Sequence, residues 1–174
     1  MSDYYNSFLQ QARPDYQPPK VVLALDPGET TGVAVFYKGC LVHTDQLDTH
    51  HVVPQGVRLL DKLIDNTYEE LTHKGPKMLS ADVVVYENYR VYNWKAQQHS
   101  WDTLHTPRLI GAIQTLCHLK QIPTYTQMAQ QPKNFCTDKK LIEWHYYERG
   151  QKHARDAIRH GCYYMLFNDQ KPKK

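Results

Sequence analysis

The stretch VVLALDPGETTGVAVFY, residues 21–37, decides the fold of this 174-residue chain. It begins with a continuous apolar run that ends at Asp26, as expected for a strand that is buried on both faces. The glycine-bounded turn PGETTG then leads into a second run of strand-forming residues, VAVFY (33–37). Because the connection is short, the two runs are predicted to pair as antiparallel strands.

Outward from this stretch, the apolar periodicity changes in an order that is typical of an α/β protein. The other predicted elements are a third strand at 41–47, a helix at 57–71, a buried strand at 83–87, a helix at 107–119, a strand at 122–126, and helices at 138–149 and 153–167. A meander followed by strands that alternate with helices implies a mixed five-stranded sheet with helices on both faces. We therefore expect the order βββ-α-β-α-β-α-α.

The two ends of the chain differ in composition from the segment between them. Residues 1–19 are polar and aromatic and are predicted to form a flexible N-terminal arm, residues 20–167 a single domain, and residues 168–174 a basic tail. The N-terminus lacks a basic start followed by an apolar run. We therefore expect no secretion signal and no membrane span, and a cytoplasmic protein.

Charge and cysteine content narrow the class of protein only slightly. The balance of 21 Lys and Arg against 18 Asp and Glu gives a formal net charge of +3, which permits a polyanionic partner without demanding one. The four cysteines are scattered and form no Cys-x-x-Cys pair. A structural zinc site is therefore not expected, and a reducing compartment is favoured.

Two acidic residues each end a buried apolar run. Asp26 closes the first strand, and Glu87 closes VVVYE (83–87). A lone acid at a strand end is more often solvated or caps a turn. However, α/β sheets usually build their sites at the carboxyl ends of their strands, so two such acids on neighbouring strands are expected to meet there.

A third acid lies on the last predicted helix, in the stretch KHARDAIRHG. At 100° per residue, the small and apolar residues of this helix form one buried face, which comprises Ala154, Ile158, Gly161, Cys162 and Met165. His153, Asp156 and His160 share a strip beside that face. On an isolated helix such a strip is usually a solvated edge, but the two strand-end acids need a partner. We therefore predict that the strip faces them.

Four motifs together make the pattern specific: ALDPGETTGVAVF, VVVYENY, TPRLIGAIQ and HARDAIRHG. They resemble the RuvC-like Holliday-junction resolvases of the ribonuclease H-like superfamily, especially their phage-borne relatives. The resemblance spans residues 20–166. It implies a ribonuclease H-like nuclease domain that hydrolyses phosphodiester bonds of four-way or otherwise branched DNA. It also implies a homodimer, with one active site for each of two opposed strands.

Carried onto this sequence, the resemblance makes Asp26, Glu87, His153 and Asp156 the catalytic residues and metal ligands. It implies two Mg²⁺ or Mn²⁺ ions per site, bridged by Asp26, with Glu87 on one ion and Asp156 on the other. Many relatives have Asp where this chain has His153. Because Mn²⁺ accepts imidazole more readily than Mg²⁺ does, His153 is expected either to complete the second metal site or to move a proton.

Basic residues around these acids are candidates for contacts with DNA. The segment NYRVYNWKAQQHSW interleaves aromatic and basic side chains, a composition suited to phosphate pairing and base stacking at an opened branch point. Other basic residues adjoin the acid of the last helix. The predicted DNA-binding residues are Arg90, Lys95, Lys152, Arg155 and Arg159.

Three other functions stay open on these residues. A ribonuclease H-like nuclease that acts on flaps or RNA–DNA hybrids would carry the same metal-binding residues. The DPGETTG motif also resembles the first phosphate loop of actin-like ATPases and sugar kinases, but those proteins need a second such loop and the motif occurs once here. A non-catalytic branched-DNA-binding protein on the same scaffold is expected to have lost one or more of the acids.

Overall fold

The computed structural model describes residues 4–49, 53–89 and 105–168; for residues 53–56 it describes the backbone alone. Its strands are β1 (Val21–Asp26), β2 (Thr30–Tyr37), β3 (Cys40–Asp48), β4 (Tyr68–Thr72), β5 (Gly75–Leu79), β6 (Val83–Glu87) and β7 (Thr124–Gln127). Its helices are α1 (Tyr4–Ala12), α2 (Val53–Asp65), α3 (His105–Leu119), α4 (Gln130–Phe135), α5 (Asp138–Glu143) and α6 (Lys152–Tyr163), followed by a π-helical turn (Tyr164–Asn168).

The main sheet has five strands in the order β3-β2-β1-β6-β7. β1 pairs with β2, and β2 with β3, in antiparallel fashion, whereas β1 with β6 and β6 with β7 are parallel. The antiparallel meander and the two later strands are thus joined through β1 in the centre. The predicted mixed five-stranded sheet is confirmed.

Helices cover both faces of this sheet, as predicted. Successive side chains of a strand point to opposite faces, so β1 sends Val22 and Ala24 to one core and Leu23 and Leu25 to the other. The first core is covered by α1 and α6, and we call this side the α6 face. The second is covered by α2 and α3, and we call it the α3 face.

Part of the predicted flexible arm over 1–19 is instead a helix packed on the domain. Residues Tyr4–Ala12 form α1, and its Tyr5 and Leu9 are fully buried in the core of the α6 face. The Tyr5 hydroxyl donates a hydrogen bond of 2.8 Å to the carbonyl oxygen of Cys162. These two side chains lie four residues apart, so one helical face holds both of them against the domain.

Residues 66–79 correct the predicted helix at 57–71. The helix α2 ends at Asp65, and β4 and β5 then form a separate two-stranded hairpin. Tyr68, which the helical pattern included, instead stacks on Tyr37 with ring centroids 4.5 Å apart. Tertiary packing of this aromatic side chain overrides a helical period that continued past the end of the helix.

The C-terminal third differs from the prediction in its boundaries. The helix predicted at 138–149 ends at Glu143, and α4 precedes it. The helix predicted at 153–167 is α-helical to Tyr163 and then continues as the π-helical turn. Of the predicted basic tail, residues 169–174 lie outside the described part of the chain. In that described part, none of the helices has the length and hydropathy needed to cross a bilayer.

Candidate active site

The two strand-end acids lie side by side at one edge of the sheet. Leu25 of β1 is in register with Tyr86 of β6, so Asp26 and Glu87 follow as the next residues of two adjacent parallel strands. Both continue the alternation that points towards the α6 face. Asp26 is buried and Glu87 is half-buried. The predicted meeting of these carboxylates therefore follows from the strand pairing.

A glycine opposite Asp26 lets the last helix reach this edge. Gly32 pairs with Asp26 across the β1–β2 ladder, and it lies within β2 rather than in the predicted turn. A Cβ atom at Gly32 would stand only 1.9 Å from the carbonyl oxygen of His153. The first turn of α6 thus contacts the sheet backbone directly, which only a residue without a side chain allows.

The start of α6 is held by a side chain from the sheet. The side-chain oxygen of Gln46 on β3 accepts a 3.0 Å hydrogen bond from the backbone N–H of His153. The first N–H groups of a helix lack partners within the helix, so this bond acts as a cap supplied by another element. It fixes the position of His153 over the strand ends.

His153 contacts the acid at the end of β1. Its Nδ1 lies 2.8 Å from Oδ2 of Asp26. The imidazole is 41% exposed, whereas the Asp26 side chain is 12% exposed. The pair therefore joins a buried carboxylate to a ring that solvent or a substrate can reach.

Asp156 meets Glu87 through a lysine. The Nζ atom of Lys133 on α4 lies 3.2 Å from Oδ2 of Asp156 and 3.3 Å from Oε2 of Glu87. The Asp156 side chain is only 4% exposed, and its Oδ1 also accepts a hydrogen bond from Arg159. Two carboxylates on different elements are thus held around one ammonium group.

His160 lies behind Glu87. It is fully buried, and its Nε2 lies 3.1 Å from Oε2 of Glu87. Its Nδ1 lies 2.8 Å from the side-chain amide of Gln127, the last residue of β7. All three residues of the strip predicted on α6 therefore contact groups at this edge of the sheet.

The site shifts the pKa values of its groups in opposite directions. Burial raises the pKa of Asp26, and the nearby charges of Glu87 and Asp156 act in the same direction, although the bond to His153 opposes them. Burial also acts to raise the pKa of Glu87, but the hydrogen bond from His160 and the charge of Lys133 outweigh it, so the net change is a lowering. The surroundings therefore destabilise the ionised form of Asp26 and stabilise the ionised form of Glu87.

The pKa of Lys133 is raised by the same carboxylates. Burial acts to lower it, but the negative charges of Glu87 and Asp156 outweigh the burial. Lys133 is therefore a stable cation at the centre of the site, 39% exposed.

Sequence reasoning missed several residues of this site. The helical pattern puts His160 on the correct strip of α6 but assigns it no role, although its spacing of four residues from Asp156 is a usable signal. Gln46, Gln127 and Lys133 come from an edge strand, the last strand and a short helix that was not predicted. Nothing in their local sequence distinguishes them from ordinary polar surface residues.

The predicted DNA-binding residues divide into two groups. Arg90 and Lys95 lie outside the described residues. Lys152 is exposed at the start of α6. Arg155 donates a 2.6 Å hydrogen bond to the carbonyl oxygen of Glu148. Arg159 is engaged within the protein through all its guanidinium nitrogens, which donate to Cys136, Asp156 and Asp138.

The donor set fits a hard divalent cation in its chemistry. Three carboxylates and one imidazole converge here, and the ammonium group of Lys133 already lies between two of the carboxylates. As the side chains stand, no three His, Cys, Asp or Glu residues within 4–49, 53–89 and 105–168 are close enough together to hold a metal ion. A cation bound between Glu87 and Asp156 would have to displace Lys133.

A cleft with a volume of about 800 Å³ opens beside Glu87. Polar side chains from the ends of β6 and from α4 line much of it, including Asn88, Tyr89, Gln130, Lys133 and Asn134. A cleft of this size can hold a ligand as large as a nucleotide.

Comparisons with known proteins place this chain by its fold. No protein-family model matches the sequence, and a comparison with curated protein sequences gave no match. Among solved structures, the chain is similar to RuvC of Thermus thermophilus, solved alone and in complex with a Holliday junction substrate. The sequences are 14% identical, the match covers 84% of this chain and 94% of that chain, and the TM-score is 0.57.

The chain is also similar to Ydc2, the yeast mitochondrial Holliday junction resolvase. That match has 14% identity and a TM-score of 0.54, and it covers 92% of this chain and 84% of the resolvase. Both matches cover most of this chain, each with a TM-score above 0.5. The chain therefore has the ribonuclease H-like fold of the RuvC-like resolvases, as the sequence motifs predicted.

Proposed function

We propose that this protein is a metal-dependent endonuclease that resolves four-way DNA junctions or other branched DNA. The observation that carries the proposal is the convergence of Asp26, Glu87, His153 and Asp156 at the carboxyl ends of two central parallel strands. Similar folds are found in RuvC, which was solved in complex with a Holliday junction substrate, and in Ydc2, which is named a Holliday junction resolvase. The actin-like ATPase lacks comparable support because the DPGETTG motif occurs once, and the non-catalytic DNA-binding protein lacks it because all four positions are filled.

In this proposal the three acids would hold the metal ions, and His153 would either complete the second metal site or move a proton. Mg²⁺ or Mn²⁺, two per site, would supply an activated water and stabilise the leaving oxygen of the phosphodiester. Asp26, at the end of β1, would hold both ions, with Glu87 as a further ligand of one ion and Asp156 of the other. The three carboxylates repel one another, so their ionised forms need positive charge between them.

His153 is placed for proton transfer as well as for metal binding. Its bond to Asp26 orients the ring, and its 41% exposure lets the other edge reach water. A histidine held in this way by a carboxylate can accept the proton of an attacking water molecule. We propose this role for His153, with metal binding through the same ring as the alternative.

Lys133 is proposed to change partners when the site is loaded. It neutralises Glu87 and Asp156 in the arrangement described above. Once other positive charge occupies the space between these acids, its ammonium group is free to contact a phosphate oxygen of the DNA. Its position on the wall of the cleft beside Glu87 favours this contact.

The remaining parts of the proposal follow from the resemblance. The branched DNA would lie along the cleft, and exposed Lys152 would contact its phosphates. Arg155 and Arg159 are retained as DNA-binding candidates, although their described bonds are internal. We also propose a cytoplasmic homodimer that uses Mg²⁺ or Mn²⁺ and is related to the phage-borne resolvases.

One experiment tests the proposal directly. The purified protein is incubated with a synthetic four-way junction, a flap, an RNA–DNA hybrid and a linear duplex under the same Mg²⁺ or Mn²⁺ conditions. We expect paired nicks in the junction and little cutting of the linear duplex. Preferential cutting of the hybrid would favour the other ribonuclease H-like nucleases, and cutting of none of them would contradict the proposal.

A further inference from the structure

We propose that His160 is a positioning residue that fixes the carboxylate of Glu87 for metal binding. The inference rests on the proposed function, because it assumes that Glu87 is a metal ligand. It adds a residue that the sequence motifs did not assign to the site. The geometry around the imidazole ring carries it.

The burial of His160 is the first observation. The residue has no exposed surface, although histidine is only intermediate in its tendency to be buried. Buried polar atoms need hydrogen-bond partners, and both ring nitrogens have one: Nε2 lies 3.1 Å from Oε2 of Glu87, and Nδ1 lies 2.8 Å from the Gln127 amide. The ring therefore links two polar side chains within the interior.

The second observation is that Glu87 and Gln127 are cross-strand partners. They are in register at the ends of the parallel strands β6 and β7, and Gln127 is itself buried. The backbone N–H of Asn88 also donates a 2.8 Å hydrogen bond to the carbonyl oxygen of Gln127. His160 on α6 thus connects the ends of β6 and β7. Contacts among these three elements hold the carboxylate of Glu87 in place.

The orientation of the Gln127 amide determines which ring nitrogen carries hydrogen. With its nitrogen towards Nδ1 of His160, the amide oxygen accepts a 3.3 Å bond from the backbone N–H of Tyr164. A neutral ring that accepts at Nδ1 carries its hydrogen on Nε2. In this arrangement Nε2–H donates to Glu87.

The consequence for Glu87 is that one of its two carboxylate oxygens, Oε2, is already hydrogen-bonded within the protein. The contacts from His160 and Lys133 both involve Oε2. The bond from His160 comes from the buried side, so it persists when Lys133 withdraws. The carboxylate is then held with Oε1 available to an ion, in the way that outer partners orient metal ligands in other proteins.

The test compares two substitutions of His160 by direct Mn²⁺ binding and by cleavage kinetics. His160→Leu removes the donor, whereas His160→Gln keeps an N–H donor of similar reach. We expect His160→Leu to weaken Mn²⁺ binding and to lower kcat by about 10–100-fold, with little change in KM for DNA. We expect His160→Gln to restore a large part of both.

A merely structural histidine gives a different result. If His160→Leu and His160→Gln lose stability together but bind Mn²⁺ as the wild type does, the positioning role is wrong. Gln127→Leu provides a second variant outside α6. We expect it to weaken Mn²⁺ binding in the same direction, and the double variant with His160→Leu to lose no more than His160→Leu alone, because both act through one bond. Fully additive losses would contradict this.

Two readouts separate this inference from the proposed function. Nitrogen NMR of the wild-type ring should find hydrogen on Nε2, and hydrogen on Nδ1 alone would overturn the inference. Mn²⁺ binding is measured without DNA. If the wild type binds Mn²⁺ and cuts no substrate, the nuclease proposal is wrong. Mn²⁺ binding by the His160 variants still tests the positioning role in that case. A wild type that binds no Mn²⁺ overturns the positioning role.

Discussion

The two faces of the central sheet are built differently, although they share the same five strands. On the α3 face, β1 presents Leu23 and Leu25 to a core of large aliphatic side chains. On the α6 face, the same strand presents Ala24 and then Asp26, and β2 presents Gly32. Both faces bury large side chains, but on the α6 face a helix backbone also comes close to β2 at Gly32.

The close approach on the α6 face brings polar groups together. Both β2 and α6 have a glycine at such a contact. Gly32 of β2 faces the carbonyl of His153, and a Cβ atom at Gly161 of α6 would lie 2.2 Å from the ring of Phe36. Small residues at these contacts give up apolar burial, which is worth about 25 cal/mol per Å². The α6 face therefore buries less apolar area at these two contacts than larger side chains would, and α6 lies close to the acids as a result.

The largest expected effect tests whether chemistry is confined to the α6 face. Asp26→Asn should lower junction cleavage by at least about a thousandfold, because losing a metal-bridging carboxylate removes several kcal/mol of transition-state stabilisation. Asp61→Asn is the matched control, since Asp61 lies on α2 and makes a surface ion pair with Lys120. Cleavage rates are measured at saturating Mg²⁺. Equal cleavage rates for Asp26→Asn and Asp61→Asn would contradict the placement of the chemistry on the α6 face.

A second prediction makes the same substitution on each face. Gly32→Ala should lower cleavage by about a hundredfold, because a clash with the first turn of α6 displaces His153 from Asp26. Gly111→Ala on α3 adds a Cβ atom that meets nothing within 4 Å. It should keep wild-type activity and stabilise the helix by roughly 0.5–1 kcal/mol.

The measurement for this pair is cleavage rate together with thermal unfolding. Wild-type cleavage by Gly32→Ala would show that the close approach of α6 is dispensable. A loss of activity in Gly111→Ala would show that the α3 face also takes part in function.

The smallest expected effect concerns stability and its dependence on pH. Because the pKa of Asp26 is raised in the folded protein, its ionised form costs stability once the pH exceeds the unfolded pKa, near 4. Asp26→Asn should therefore raise the melting temperature at pH 7 without metal. The pKa of Glu87 is lowered, so its ionised form stabilises the fold, and Glu87→Gln should lower the melting temperature.

These opposite shifts are measured by calorimetry between pH 3 and pH 7. For a chain of this size, each kcal/mol corresponds to roughly 2–4 °C. Both shifts should shrink as the pH falls through the carboxylate pKa values, since the wild-type acids then become neutral. Shifts of the same sign in the two variants would contradict the opposed environments of these acids.

The sequence predicted the site best where hydrophobic runs end. Asp26 and Glu87 were identified because each terminates a buried strand, and the parallel pairing of those strands then makes them neighbours. His153 and Asp156 followed from helical periodicity. These are local patterns with a direct geometric consequence.

The contacts that the sequence did not predict depend on distant elements. Lys133 lies on a six-residue helix, too short to give a clear periodic pattern. The role of His160 depends on Gln127, which only the parallel pairing of β6 and β7 places beside Glu87. Likewise, α1 has only two buried side chains, Tyr5 and Leu9, among polar neighbours, so its composition predicted an arm.

The most direct test of the central claim is Mn²⁺ binding, followed by electron paramagnetic resonance in the wild type, Asp26→Asn, Glu87→Gln and the control Asp61→Asn. The claim is that the α6 face holds a metal site built from both strand-end acids. It predicts that Mn²⁺ binds the wild type and the control equally and binds each strand-end variant at least about tenfold more weakly. Equal affinity in all four proteins would contradict it.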